Sequence, residues 1–403
     1  MKARLILVTL SLVLLASLLA LPAGDAAAQA PVKIGFIQGL SGPLEVYAKQ
    51  EANGFKMGLE YATGGKMQVL GRKIEVLVED DQLKPDVGKR LITKLYADDK
   101  VDLAVGGTGS NVALAMLPVA AEFKKIYLVE PAVADSITGE QWNRYIFRTG
   151  RSSGQDAIAN ALAVAKPGVS IATIAQDYAF GRDGVAAYKA AAEKLGAKIV
   201  HEEYTPTTAT DFTAPIQKII AALKDKSGPK YVFVIWAGKG GPLSQLVDNR
   251  LDKYGITITS GGNVLDALKA MKAQKLDGMV GGAYYYYEIP KNPVNDWLVR
   301  EHMKRFNEPP DFFTCGGFAA AMAVVTAIQK AGGTDTEKLI AAMEGMEFQT
   351  PKGKMIFRKE DHQALQSMYA FKMTSKPDVA WLIPVLTKEL SPQETAPPLQ
   401  NKR

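Results

Sequence analysis

The sequence predicts an α/β protein made of two successive units, each a parallel-rich sheet flanked by helices. Three observations predict it: short strands apolar on both faces, amphipathic helices alternating with them, and a restart of the same alternation near residue 150. The chain has 403 residues, 47% hydrophobic and 22% charged. That is material for about two to three domains with their own cores, and it excludes disorder as a description of the whole.

Val32 to Gln38 is an apolar run ending in the loop Gly39-Leu40-Ser41-Gly42-Pro43. Ala48, Ala52, Phe55, Leu59 and Ala62 then recur at spacings of four and three, which marks a helix. A strand over Ile74 to Val78 follows, then a helix around Leu91 to Tyr96 and a strand over Val101 to Val105. Gly106-Gly107-Thr108-Gly109-Ser110 opens a helix carrying Val112, Met116, Val119 and Phe123 on one side, and Ile126 to Val129 is the next strand. After Tyr145 to Arg148 the grammar restarts, with a helix from Gln155 to Ala165 and a strand from Val169 to Ala175. A helix with Val185, Tyr188, Ala192 and Leu195 is ended by Gly196. The strand Lys198 to Tyr204, a helix bearing Phe212, Ile216, Ile219 and Leu223, and the strand Tyr231 to Trp236 complete the second unit.

The ends obey other rules. Lys2 and Arg4 precede an apolar run from Leu5 to Leu21, and Ala26, Ala28 and Ala30 supply the small residues of a cleavage site, so residues 1–30 read as a secretory signal and the mature protein as exported. The polar, Pro-rich segment 391–403 reads as a flexible tail. The formal charge of +6 is interleaved along the chain without a basic block, which argues against nucleic acid as a partner. One cysteine, Cys315, and three scattered histidines leave no internal disulfide and no local zinc motif, and Cys315 reads as core.

Catalytic motifs are sparse. Gly150-Arg151-Ser152-Ser153-Gly154 fits G-x-S-x-G between a strand and a helix, as a nucleophile elbow requires. A serine in that place also caps a helix, and no histidine stands in a loop that suggests a triad, so the cap is favoured and a secreted serine hydrolase using Ser152 is the alternative. There is no P-loop and no G-x-G-x-x-G, and no cofactor is expected. Asp80-Asp81 reads as a solvated strand end rather than a cation site. Tyr284 to Tyr287 reads as a strand with rings on alternating faces.

An ordered series of small motifs carries a resemblance. Ser41-Gly42-Pro43 with Tyr47 and Asn53-Gly54, Asp80-Asp81, Gly106 to Ser110, Pro131-Ala132, Phe147-Arg148-Thr149, Asp177 to Gly181, Gly196-Ala197, Asp211-Phe212 and Pro310-Asp311 occur in order over nearly the whole mature chain. The sequence resembles the type I periplasmic substrate-binding proteins of ABC transporters, of the branched-chain amino-acid-binding (Leu/Ile/Val-binding) family. The resemblance implies a two-lobed periplasmic-binding-protein fold of type I with three crossing strands, near Phe147, Gly282 and Met355. Residues 31–147 and 283–357 would form one lobe, and 148–282 and 358–390 the other. It implies a periplasmic receptor that closes on its ligand by hinge motion, catalyses nothing and delivers to a membrane permease. A monomer is expected.

By the same resemblance Thr108, Ser110 and Ala132 line the first lobe's half of the cleft, Tyr47 overhangs it, and Phe180 and Trp236 line the other half. Independently, a helix opening at Gly109 and Ser110 after a parallel strand presents free N–H groups and a positive dipole end to a carboxylate. Two departures from the family bear on the ligand. Relatives carry a hydroxyl two residues after Ala132, where this chain has Ala134, and an acid where this chain reads Thr259-Ser260-Gly261-Gly262-Asn263-Val264, with Asn263 as the polar contact and no carboxylate before Asp266. A buried ammonium without an anion is costly, so a carboxylic acid without the amine is the expected ligand, aromatic or branched. Arg151 offers it a cationic fork, and Tyr285, from the tyrosine run, is the ring expected to join Tyr47, Phe180 and Trp236 around its body. A branched-chain or other amino acid is the alternative ligand.

Overall fold

The structure is a computed structural model that describes residues 29–261 and 264–401. Residues 1–28, most of the expected signal, and Asn263 lie outside the described residues.

The first lobe begins with β1 (Val32–Gln38), α1 (Glu45–Ala62), β2 (Gln68–Val69), β3 (Arg72–Asp80), α2 (Pro85–Ala97), β4 (Leu103–Gly106), α3 (Ser110–Phe123), β5 (Ile126–Val129) and β6 (Ile146–Arg148). Its sheet has the order β2-β3-β1-β4-β5-β6, parallel apart from the β2–β3 pair. Every residue of β4 and β5 is buried, because helices cover both faces. Gly106 and Gly107 take φ of 147° and 95°, which lets the chain turn out of β4 before α3 begins.

The second lobe carries α4 (Ser153–Val164), β7 (Ser170–Gln176), α5 (Ala179–Lys194), β8 (Lys198–Thr205), α6 (Thr213–Leu223), β9 (Lys230–Ile235), α7 (Leu243–Asp248), β10 (Ile256–Ser260) and α8 (Leu265–Ala273). Its sheet is parallel with the order β10-β9-β7-β8. The chain continues through β11 (Val280–Ala283), α9 (Pro293–Phe306), α10 (Phe312–Ala331), α11 (Thr336–Met343), β12 (Glu347–Thr350), β13 (Gly353–Phe357), β14 (Ala364–Leu365), β15 (Met368–Thr374) and β16 (Ile383–Leu390). α10 and α11 return to the first core, which therefore draws on residues 32–147 and 319–364. β11, β15 and β16 form a sheet whose side chains pack with those of α8.

The chain leaves the first core after β14, later than the strand expected near Met355. Arg148 explains the shift: fully buried, its backbone N–H donates to the His362 carbonyl and its guanidinium to Gln363 Oε1 (2.5 Å), the Ala134 carbonyl (2.6 Å) and Thr138 Oγ1 (2.6 Å). His362 stacks on Phe147 with ring centroids 3.9 Å apart. Residues beyond Met355 are thus held against β6.

Two expectations are corrected. Tyr284 to Tyr287 is not a strand: β11 ends at Ala283 and the chain bends at Tyr284, with Tyr284, Tyr285 and Tyr286 buried and Tyr287 half-buried. Nor is the segment after Leu390 frayed over its described length. Thr395 is fully buried and donates to the Gln366 carbonyl (3.2 Å), while the Pro397 carbonyl accepts from Arg358 (2.7 Å). Docked prolines lose little entropy on ordering, so a Pro-rich segment needs few contacts to be held.

Candidate functional site

Between the lobes lies a cleft of about 100 Å³. From the first lobe Tyr47, Thr108, Ser110 and Ala132 line it, and from the second Arg151, Phe180 and Trp236. Gly109 stands behind this surface as the N-cap of α3, in an extended conformation and with no side-chain cap on the helix, so the first amides of α3 are left without a capping side chain. Tyr285 does not line the cleft. Its hydroxyl donates to Asn295 Oδ1 of α9 (2.7 Å) inside a core with Tyr284, Phe312 and Cys315, beyond the bend at Tyr284.

The two hydroxyls expected to meet a carboxylate differ. Thr108 Oγ1 donates to Gln38 Oε1 (2.6 Å) and accepts from the Gly39 amide (3.0 Å), so its proton is already committed. Ser110 Oγ accepts from the Ala134 amide (3.2 Å), and its proton has no acceptor among the described residues. Tyr47 ties the lobes together: its ring stacks on Phe313 at 4.3 Å and its hydroxyl accepts from the Gly238 amide (2.9 Å). Asp183 of α5 accepts from the Ser136 amide (2.9 Å) and hydroxyl (2.8 Å), a second link between the lobes.

Arg151 is 8% exposed and lies over the Phe312 ring at 4.5 Å. Its Nε donates to both oxygens of Asp156 (3.2 and 3.1 Å), while its terminal nitrogens have no hydrogen-bond partner among the described residues. Asp156 lines the cleft too, and sequence reasoning missed it; its place in the first turn of α4, five residues after Arg151, was the available signal. Burial raises its pKa and the Arg151 charge opposes the rise. Tyr178, inside the Asp177 to Gly181 motif, was missed as well; its phenol lines the cleft with no hydrogen-bond partner among the described residues. Asp266 faces a neighbouring cavity of about 580 Å³ across Tyr47 and Trp236, and pairs with Lys269 at 3.3 Å.

Ser152 is no nucleophile elbow. Its Oγ accepts from the Gln155 amide (3.2 Å) and Gln155 Oε1 accepts from the Ser152 amide (3.0 Å), a complete capping box. Asp80 is a turn acceptor for Ser41 and Gln82, and no group of three or more metal-ligating side chains occurs among the described residues.

Two α/β lobes with a ligand-sized cleft at the carboxyl ends of their strands have the architecture of a solute-binding receptor. The comparisons with known proteins agree: the periplasmic binding protein family model matches residues 31–378, and the chain belongs to that family. A crystal structure of an ABC-type branched-chain amino acid transporter from Rhodopseudomonas palustris is 63% identical, covering 92% of this chain and 100% of that one, with a TM-score of 0.83. A solute-binding protein of an ABC transporter from R. palustris BisB5, in complex with 3,4-dihydroxybenzoic acid, is 30% identical over 90% of this chain and 97% of that one, with a TM-score of 0.77. The Leu/Ile/Val-binding protein homolog 6 of Brucella suis is 26% identical over 88% of this chain and 91% of its own length. The protein is a periplasmic substrate-binding protein of an ABC transporter, a receptor that works with a membrane permease and not an enzyme.

Proposed function

We propose that this receptor captures a small carboxylate without an α-amine, aromatic or branched, and delivers it to its permease. The observation that carries the reading is the charge arrangement of the cleft. Its carboxylate, Asp156, is engaged by Arg151 Nε, whereas the terminal nitrogens of Arg151, the Ser110 hydroxyl and the open end of α3 remain for an anion. An ammonium would meet no free acid. Phe180, Trp236 and Tyr178 offer an apolar wall for one ring or a branched chain, and the relative that binds 3,4-dihydroxybenzoic acid supports an acid of this kind. Residues 31–147 with about 283–365 close as one lobe on 148–282 with 366–390, the protein acts as a monomer, and residues 1–30 are its cleaved export signal.

A second reading, an amino-acid receptor, is favoured by one observation: Asp156 lines the cleft, and an ammonium that displaced Arg151 from it would be paired. Calorimetric titration with matched pairs decides, such as leucine against 4-methylpentanoate and phenylalanine against 3-phenylpropanoate. The deaminated acid is expected to bind at least about tenfold tighter, on the order of 1.4 kcal/mol. Tighter binding of the amino acid, lost in Asp156→Asn, would establish the second reading instead.

A further inference from the structure

Two carboxyl groups that take no part in the cleft lining are buried close to it. Glu51 on α1 is fully buried and Glu130, just after β5, is 2% exposed. Both converge on Gly316 of α10: a Cβ there would stand 2.5 Å from Glu130 Oε1 and 3.3 Å from Glu51 Oε2, so a side chain at 316 would push the Glu130 carboxyl aside. Both oxygens of Glu51 and Oε2 of Glu130 have no hydrogen-bond partner among the described residues, and neither has the nearby Thr314 hydroxyl of the same helix. Two ionised carboxylates cannot coexist in such a place, because each lacks water and repels the other.

The cations around them are placed to matter. Arg151, the cleft's own cation, acts on both carboxyls, and Lys352, in the turn between β12 and β13, acts on Glu130. Lys352 is 5% exposed, its Nζ donating to Gln366 Oε1 (2.8 Å) and lying 3.7 Å from the centroid of the Tyr284 ring. The remaining ionisable neighbours are Arg148 at the end of β6, Asp156 of α4, Tyr284 after β11 and Cys315 of α10.

We propose that Glu51 and Glu130 form a proton-binding site coupled to the cleft, so that an anion arriving at Arg151 is captured together with a proton taken from solvent. The proposal rests on the reading of Arg151 as the anion contact. Burial holds Glu51 well above the usual carboxylate range, lifts Glu130 to about 7 and lowers Lys352 to about 7. A negative charge at Arg151 offsets one of the cations that favour ionised Glu130. Glu130 then gains a proton near neutral pH, and linkage requires affinity to fall as pH rises through that region.

The test has a ligand-free arm and a ligand arm. Infrared spectra of the unliganded protein at about pH 6 should contain the carbonyl band of a protonated carboxylic acid that disappears in Glu51→Gln/Glu130→Gln. Its absence from the wild type would overturn the proton site whatever the ligand. In the second arm, 3,4-dihydroxybenzoate is titrated calorimetrically in buffers of different ionisation enthalpy between about pH 6 and 8.5. Net proton uptake is expected, with affinity falling by up to about tenfold per pH unit, and both should be lost in Glu130→Gln while binding itself persists. Tight binding with no proton uptake would overturn the coupling alone. If this acid and its analogues fail to bind or to shift the melting temperature at any pH, the carboxylate reading falls and the coupling with it, while the infrared arm still decides the proton site.

Discussion

Helices α3 and α4 both begin where a strand hands over to a loop of glycine and serine, and only one of them closes its own end. At α4 the Ser152 hydroxyl and the Gln155 amide group bond each other's backbone N–H, so the helix start is satisfied from within. At α3 the N-cap is Gly109, which has no side chain to fold back, and Ser110 turns its oxygen toward the Ala134 amide instead. In the proposed function the sealed end belongs to the scaffold, and the open end is where the anion would gain from free amides and a helix dipole. Two similar strings, Gly106 to Ser110 and Gly150 to Gly154, therefore do opposite work, and the capping geometry tells them apart.

The sharpest way to break this contrast is to remove the cation that faces the open end. Arg151→Met leaves Asp156 in a partly buried place without its partner, so we expect a loss of about 3 kcal/mol in stability together with loss of acid binding. Adding Asp156→Asn should restore most of the stability and none of the binding. Denaturant unfolding and titration of the two variants check both halves. Recovery of binding in the double variant would mean that the α3 end alone holds the anion.

Next in size is the wall opposite α3. Trp236 packs edge-on against Phe212 with ring centroids 5.2 Å apart and lines the cleft. Trp236→Ala should weaken an aromatic acid by about 2 kcal/mol, roughly thirtyfold in Kd, and a short aliphatic acid much less. Equal losses for the two would place the ring away from the ligand body.

Ser110→Ala probes the open end itself. A hydroxyl that donates to a carboxylate contributes about 1.5 kcal/mol, close to tenfold in Kd, and this loss should appear in binding more than in unfolding. Thr108→Ala should do the reverse, since its proton serves Gln38 and its oxygen serves Gly39.

That pair marks the boundary of what the sequence can reveal. The alternation of apolar strands and amphipathic helices is a local signal, and it carries the two sheets and the position of the cleft at their strand ends. Thr108 and Ser110 look alike in the string because the group that consumes the Thr108 proton, Gln38, lies on another strand. Tyr285 is illegible for the related reason that a run of rings announces packing without direction, and the bend at Tyr284 sets the direction. Asp156 is illegible as a cleft acid because it stands on the first turn of α4, far in sequence from the acid position near Asn263 that the family resemblance points to. The docked segment after Leu390 shows that a composition typical of fraying does not report tertiary contacts such as that of Thr395 with Gln366.

The smallest expected effect tests the sealed end. In Ser152→Ala the Gln155 amide loses its acceptor, while the Gln155 side chain can still accept from the residue 152 amide, so half of the capping box survives. Loss of a serine cap typically costs about 1 kcal/mol, and the surviving half should hold the loss at or below that figure. Binding should stay within about twofold of wild type, because Ser152 is 1% exposed and does not line the cleft. Measured beside Ser110→Ala, the two serines should exchange their effects, one changing the unfolding midpoint and the other the dissociation constant. A Ser152→Ala protein that unfolds as before but binds poorly would mean that the α4 end is also an anion site, and the distinction between a sealed and an open helix start would fail for this receptor.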